Sequence, residues 1–272
     1  MRDTSFASPL ALISGLIGGL GMYVVAGWLS GSEEMVRVLP NSVAMGLNTA
    51  LMFLAAAAAL VLGTRSAYGN NIATALAIGI VLLSGLILIE HTFDVSLGID
   101  FSAMHGAVKD GNPRPGRTAP NTCLGFLFAG LAMIALFRME QQSRIVRQMQ
   151  TILITVVGMI GLTALIGYIL QLEVMYRIAV YNRMAAPTAL AMFLVGIALS
   201  LLQYRSRRNV GLKLDSPDAR ITKIAALVLT IVALATGLTG FVILKDGFEQ
   251  SISNAMLRDA KSDASAFASI LS

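Results

Sequence analysis

Apolar residues in this chain come in long unbroken runs, not in alternation. Runs of about twenty residues, enough to cross roughly 30 Å of hydrocarbon as a helix, fall near 9–29, 42–63, 71–90, 121–138, 150–172, 185–203 and 222–244. They predict an all-α integral membrane protein with seven transmembrane helices. Barrel strands would alternate apolar and polar residues over about ten positions. The first run is too long for a secretory signal peptide and six more follow, so it reads as a retained helix. After the seventh run, Phe248, Ile252, Met256, Ala260, Ala264, Phe267 and Leu271 recur every three or four residues among Lys, Asp, Arg and Ser. That spacing predicts an amphipathic helix with one apolar face. It stops at Ser272 without a cap or breaker, which reads as the cut start of an extracytoplasmic domain.

Composition agrees with the runs: 56% of residues are hydrophobic and 13% charged, and the mean hydropathy is +0.75. Such a chain cannot cover a soluble globule with polar surface. Charge adds orientation, because Lys and Arg accumulate in segments kept in the cytoplasm. Arg65, Arg138, Arg144, Arg147, Arg205, Arg207, Arg208, Lys213, Arg220 and Lys223 all lie in even-numbered connections. These are therefore read as cytoplasmic, with the N-terminus and Arg2. Glu33, Glu34, Asp94, Asp100, Asp110 and Glu173 fall in external connections, and Lys245–Ser272 emerges outside. The net charge of +5 reflects this asymmetry and implies membrane lipids, not nucleic acid, as partners. The single cysteine, Cys123, can form no internal disulfide.

Three helix starts share a word: "MGLNTALMF" at 45–53, "RPGRTAPNTCLGF" at 114–126 and "RMAAPTALAM" at 183–192. Aligned, they place Thr49, Thr122 and Thr188 in one column, Leu51, Leu124 and Leu190 in another, and Phe53, Phe126 and Met192 in a third. Each word begins an even-numbered helix, and the odd-numbered helix before it ends at Gly27-Trp28, Glu90-His91 or Gly167-Tyr168. The chain thus reads as three repeated hairpins, about 9–63, 71–138 and 150–203, within a bundle of residues 1–210. A basic connection and the seventh helix occupy 211–244, and the external helix 245–272. Two explanations of the word remain open. Asn, Thr and Pro suit a first helical turn, whose N–H groups lack partners or, in Pro, do not exist. Alternatively the three helix starts converge on one external pocket, with Trp28, Asn48, Thr49, His91, Asn121, Thr122, Tyr168 and Thr188 around a ligand.

The run "SGLILIEHTFDVSLGID" followed by "NPRPGRTAPNTCLGFLFAGLAMIAL" and "NRMAAPTALAMFLVGIALSLL" resembles the multi-helix N-terminal sensor region of many bacterial membrane-bound histidine kinases and diguanylate cyclases or phosphodiesterases. That group carries a "DLGID"-like turn and a "PGR-x-x-PNTAL-x-F" helix start. Here "SLGID" occupies 96–100, and Pro115-Gly116-Arg117 and Pro120-Asn121-Thr122 match by position. In the later word at 183–192, Pro187 stands where a polar residue is usual. The resemblance spans roughly residues 80–205. It implies a sensory input module in the bacterial inner membrane, with kinase or nucleotide-cyclase output beyond residue 272 and a homodimer through the seventh helix and the 248–271 helix.

Searching for chemistry finds no phosphate loop, HExxH, CxxC, G-x-S-x-G elbow or kinase signature, so no enzyme is expected within these 272 residues. No cofactor is required by the sequence. Haem or quinone is the alternative, with His91 and His105 as haem or metal ligands, and proton sensing by histidine another. Glu90 and Glu173 sit at helix ends and read as snorkelling side chains. Gly15 and Gly19 offer a close-approach spacing. Signal input through a membrane-soluble or periplasmic ligand, relayed by the seventh helix, competes with a transporter-like or haem- and lipid-binding module. Polar residues at the external helix ends and aliphatic midplanes favour signal input.

Overall fold

The structure, a computed structural model, describes residues 7–39, 42–63, 66–101, 114, 116–138, 143–177 and 182–209. The expected seventh helix, the 248–271 helix and His105 lie outside the described residues. Within them the chain is helical: α1 (Ala7–Ser30), the short α2 (Glu33–Arg37), α3 (Leu47–Leu62), α4 (Ala67–Phe93), α5 (Pro120–Arg138), α6 (Arg144–Ile169) and α7 (Ala186–Asn209). A 3₁₀ turn at Glu173–Met175 and one isolated bridge between Arg177 and Arg183 complete it. Five helices, α1, α4, α5, α6 and α7, are long and apolar enough to cross a membrane.

Local chemistry marks the helix ends. Ser32, Ser66 and Ser143 cap α2, α4 and α6, each hydroxyl accepting from the backbone N–H three residues on. Asp94 ends α4 in the left-handed region (φ 54°), and Gly31 turns the chain between α1 and α2 at φ 70°. The run at 42–63 is not helical throughout, because residues 42–46 form no regular element and α3 begins only at Leu47. Sixteen helical residues span roughly 24 Å at 1.5 Å each. The run at 150–172 likewise differs, with α6 starting at Arg144 and ending at Ile169, before Gln171 takes a positive φ.

Sequential helices pack in pairs, α1 on α3, α4 on α5 and α6 on α7. Contacts of α3 with α4, α5 with α6 and α7 with α1 join the pairs into a ring. Helices α3, α5 and α7 also touch one another, so they form the inside. Burial follows: 56% and 67% of the 18-residue apolar stretches of α5 and α7 are buried, against 33%, 33% and 28% of those of α1, α4 and α6. The outer faces stay apolar, with Leu12, Leu16, Met22, Leu82 and Ile152 exposed, as a surface solvated by lipid requires. Gly15 and Gly19 lie on that outer face, with nothing within 4 Å of a Cβ there among the described residues. The close approach of α1 to α3 is made by Gly18 and Gly21 instead, against Ala57 and the Ala50 carbonyl.

Candidate functional site

The polar words do not begin as helices. Each opens with a short non-helical stretch, at 42–46, 117–119 and 182–185, and these stretches are largely buried. Non-helical backbone at membrane depth leaves carbonyls that only protein groups can satisfy. Three side chains do so at equivalent positions. Trp28 Nε1 donates to the Met45 carbonyl at 2.9 Å, His91 Nε2 to Thr118 O at 2.8 Å, and the Tyr168 hydroxyl to Met184 O at 2.7 Å. Each acceptor stands four residues before the threonine of its word. Because a carbonyl only accepts, the His91 ring carries a proton on Nε2.

The residue before each ring completes the unit. Gly27 O accepts from Ser32 N at 3.0 Å and Gly167 O from Leu172 N at 2.7 Å. A Cβ on either glycine would come within 2.6 Å of the Met35 or Met175 Cβ, so this close turn excludes side chains. The middle unit has Glu90 there, and the carboxylate itself takes over the turn: Oε1 accepts from Leu97 N at 2.6 Å. Replacing Tyr168 by Phe is expected to keep the ring, which stacks on Tyr176 at 4.1 Å, and to leave Met184 O without its donor. The expected loss is about 1–3 kcal/mol, read as a lower thermal midpoint in detergent; an unchanged midpoint would mean that this bond contributes nothing. Tyr176 lies in the connection, and burial, with Glu173 adding to it, pushes its phenol above the ordinary value.

Asparagines then tie one hairpin to the next. Asn48 Nδ2 donates to Ile99 O at 2.7 Å, ahead of α5, and Asn121 Nδ2 to Tyr176 O at 3.3 Å, ahead of α7. In the third word the same position is Pro187, which has no such donor. Thr49 Oγ1 meets Thr118 Oγ1 at 3.2 Å. Asn182, fully buried, accepts from Arg114 N at 3.1 Å through Oδ1 and donates through Nδ2 to the carbonyls of Arg114 and Arg117. Within the first turn of α5, Asn121 Oδ1 also accepts from the neighbouring Thr122 N at 3.0 Å. At α3 the N-cap is Gly46, with no side-chain cap bond.

The centre of this end is ionic. Glu90 is 0% exposed, Arg117 7% and Asp100 8%. Arg117 Nε lies 3.0 Å from Asp100 Oδ2 and 3.7 Å from Glu90 Oε2. Its Nη1 and Nη2 donate to Glu90 O at 3.3 Å and Val95 O at 3.0 Å, so the fork clamps the segment after α4. Arg114 pairs with Asp94 nearer the surface. Glu90 is therefore not a snorkelling end residue; Glu173, partly exposed beside Arg177 and Arg183, is closer to one.

All eight sequence candidates are at or near this end. Trp28, Asn48, Thr49, His91, Asn121 and Tyr168 make the bonds above, and Thr122 and Thr188 are buried in the first turns of α5 and α7. The polar atoms of the first six join neighbouring segments. His91 Nε2 is engaged by Thr118 O, which argues against a haem ligand at that nitrogen, and His105 lies outside the described residues. Sequence reading overlooked Arg117, Asp100 and Asn182 as site residues. An arginine and an aspartate flanking a predicted span, both in the "SLGID" and "PGR" turns, were the available signal. Compared with known proteins, the chain matches no family model, no curated sequence and no solved structure.

Proposed function

We propose that residues 1–272 are the membrane-embedded input region of a bacterial signal-transduction protein, a histidine kinase or cyclic-di-nucleotide enzyme with its output beyond Ser272. In this reading the α1/α3, α4/α5 and α6/α7 pairs are three copies of one hairpin, and the span at 222–244 relays their arrangement outward and onward. The inner membrane is the setting, with the Glu90 end external. Arg207 Nη2, 3.4 Å from Arg147 O, belongs to the opposite, arginine-rich end, which the positive-inside rule assigns to the cytoplasm.

The observation that carries the reading is the cross-bonding of separate hairpins at one end by buried side chains. A ligand, membrane-soluble or periplasmic, that favours one hairpin arrangement over another shifts their relative positions. The test is output activity of the full-length protein in native membrane vesicles, wild type against the Thr49→Val, Thr122→Val, Thr188→Val combination. A change of about fivefold or more, the lower range for coupled sites, is expected. Unchanged activity in a folded variant overturns the role of this end. A transporter-like or haem- and lipid-binding module is the competing reading, and native mass spectrometry with optical absorbance, showing a retained coloured group, would favour it.

A further inference from the structure

The ionic centre is unbalanced. Two carboxylates, Glu90 and Asp100, share one guanidinium, so the buried trio with all groups ionised carries a charge of one electron in excess. Buried uncompensated charge is expensive, and a group that can neutralise does so in preference. The hydrogen bonding is unbalanced in the same place. Glu90 Oε2 and Asp100 Oδ1 are buried and accept no hydrogen bond among the described residues, while Glu90 Oε1 and Asp100 Oδ2 are used by Leu97 N and Arg117 Nε. An ionised carboxylate only accepts, so two orphan oxygens of this kind cannot satisfy each other.

A single proton resolves both imbalances, since a protonated carboxyl becomes a donor to the other. We propose that Glu90 and Asp100 form a proton-binding pair that holds one proton at neutral pH, with the Arg117 guanidinium balancing the remaining charge. A metal ion is a poor occupant: hard cations such as calcium take about six to eight oxygens, and no group of three or more metal-binding side chains occurs among the described residues. A proton needs no cavity, which suits a carboxylate with no exposed surface. The other charged or titratable groups around the pair are Arg117 and Arg114 from the segment before α5, Asp94 and His91 from α4, and Cys123 from α5. From α3 and the segment before α7 come the neutral Asn48, Thr49 and Asn182.

The site is independent of the signalling reading, because its test is spectroscopic and needs no output domain. Infrared difference spectra of the chain in lipid nanodiscs at neutral pH are expected to show the carbonyl stretch of a neutral carboxylic acid, sensitive to deuterium exchange. Glu90→Gln and Asp100→Asn should each abolish it, since either leaves one carboxylate facing one guanidinium. The wild-type band should also vanish as pH rises and the pair loses its proton. A wild-type spectrum without the band at neutral pH overturns the proposal, and needs no variant to fold. A band that survives either substitution overturns it as well, by placing the proton elsewhere.

Discussion

Arg117→Met is expected to destabilise the chain by about 3–5 kcal/mol, the range for removing one partner of a buried ion pair. Three contacts disappear together. Asp100 loses its 3.0 Å partner, Glu90 O and Val95 O lose their donors, and two carboxyl groups remain inside with no cation. Arg117→Lys separates charge from shape. Lysine keeps the positive charge, but its ammonium is a point donor on a flexible stem and cannot bridge Asp100 and two carbonyls as a planar fork does. Its expected cost lies between wild type and the methionine variant. The measurement is thermal unfolding in detergent, followed by loss of monodisperse protein. Equal midpoints for wild type and Arg117→Met would show that the trio contributes little to stability. Equal losses for Met and Lys would show that the fork geometry, and not the charge, is what the fold uses. Arg114→Ala is the surface contrast: its pair with Asp94 is half exposed and such pairs contribute about 0–1 kcal/mol.

The helices were readable because a twenty-residue apolar run has few alternatives in lipid, and the first six runs all coincide with observed helices within a few residues, save that 42–46 is not helical. That exception is instructive. Ser42–Gly46 carries Val, Ala and Met within an apolar run, and hydropathy does not distinguish buried irregular chain from helix. Only partners such as Val36 O for the Met45 N–H, at 2.8 Å, make the non-helical form tolerable, and these lie nine residues away. The polar words were readable as a column of residues but not as bonds. Trp28, His91 and Tyr168 share no chemistry beyond a donor on a ring, and in the structure each ring's donor meets a backbone carbonyl. Asn182 was hidden because it stands alone in sequence, with partners 65 and 68 residues away.

The second large effect is expected at Gly161 and Gly196, where α6 and α7 meet. A Cβ on Gly196 would come within 2.6 Å of the Gly158 Cα, and one on Gly161 would approach the Phe193 Cα to 2.8 Å and the Ala189 carbonyl to 2.9 Å. The atoms met are backbone, which no rotamer change can move aside. Two terms oppose each other in a glycine-to-alanine change. Helix propensity favours alanine by about 1 kcal/mol, whereas forcing atoms into a filled interface costs about 1–3 kcal/mol or more. With backbone as the obstacle the steric term wins, so Gly161→Ala and Gly196→Ala should lower the thermal midpoint, and the pair together should separate α6 from α7. Gly15→Ala supplies the opposite sign. Among the described residues nothing lies within 4 Å of a Cβ at that position, so the propensity term remains and the midpoint should hold or rise. If Gly15→Ala proved as damaging as Gly161→Ala, the Gly15-x-x-x-Gly19 face would be a contact with a partner outside the described residues, a segment of this chain or another molecule in the membrane.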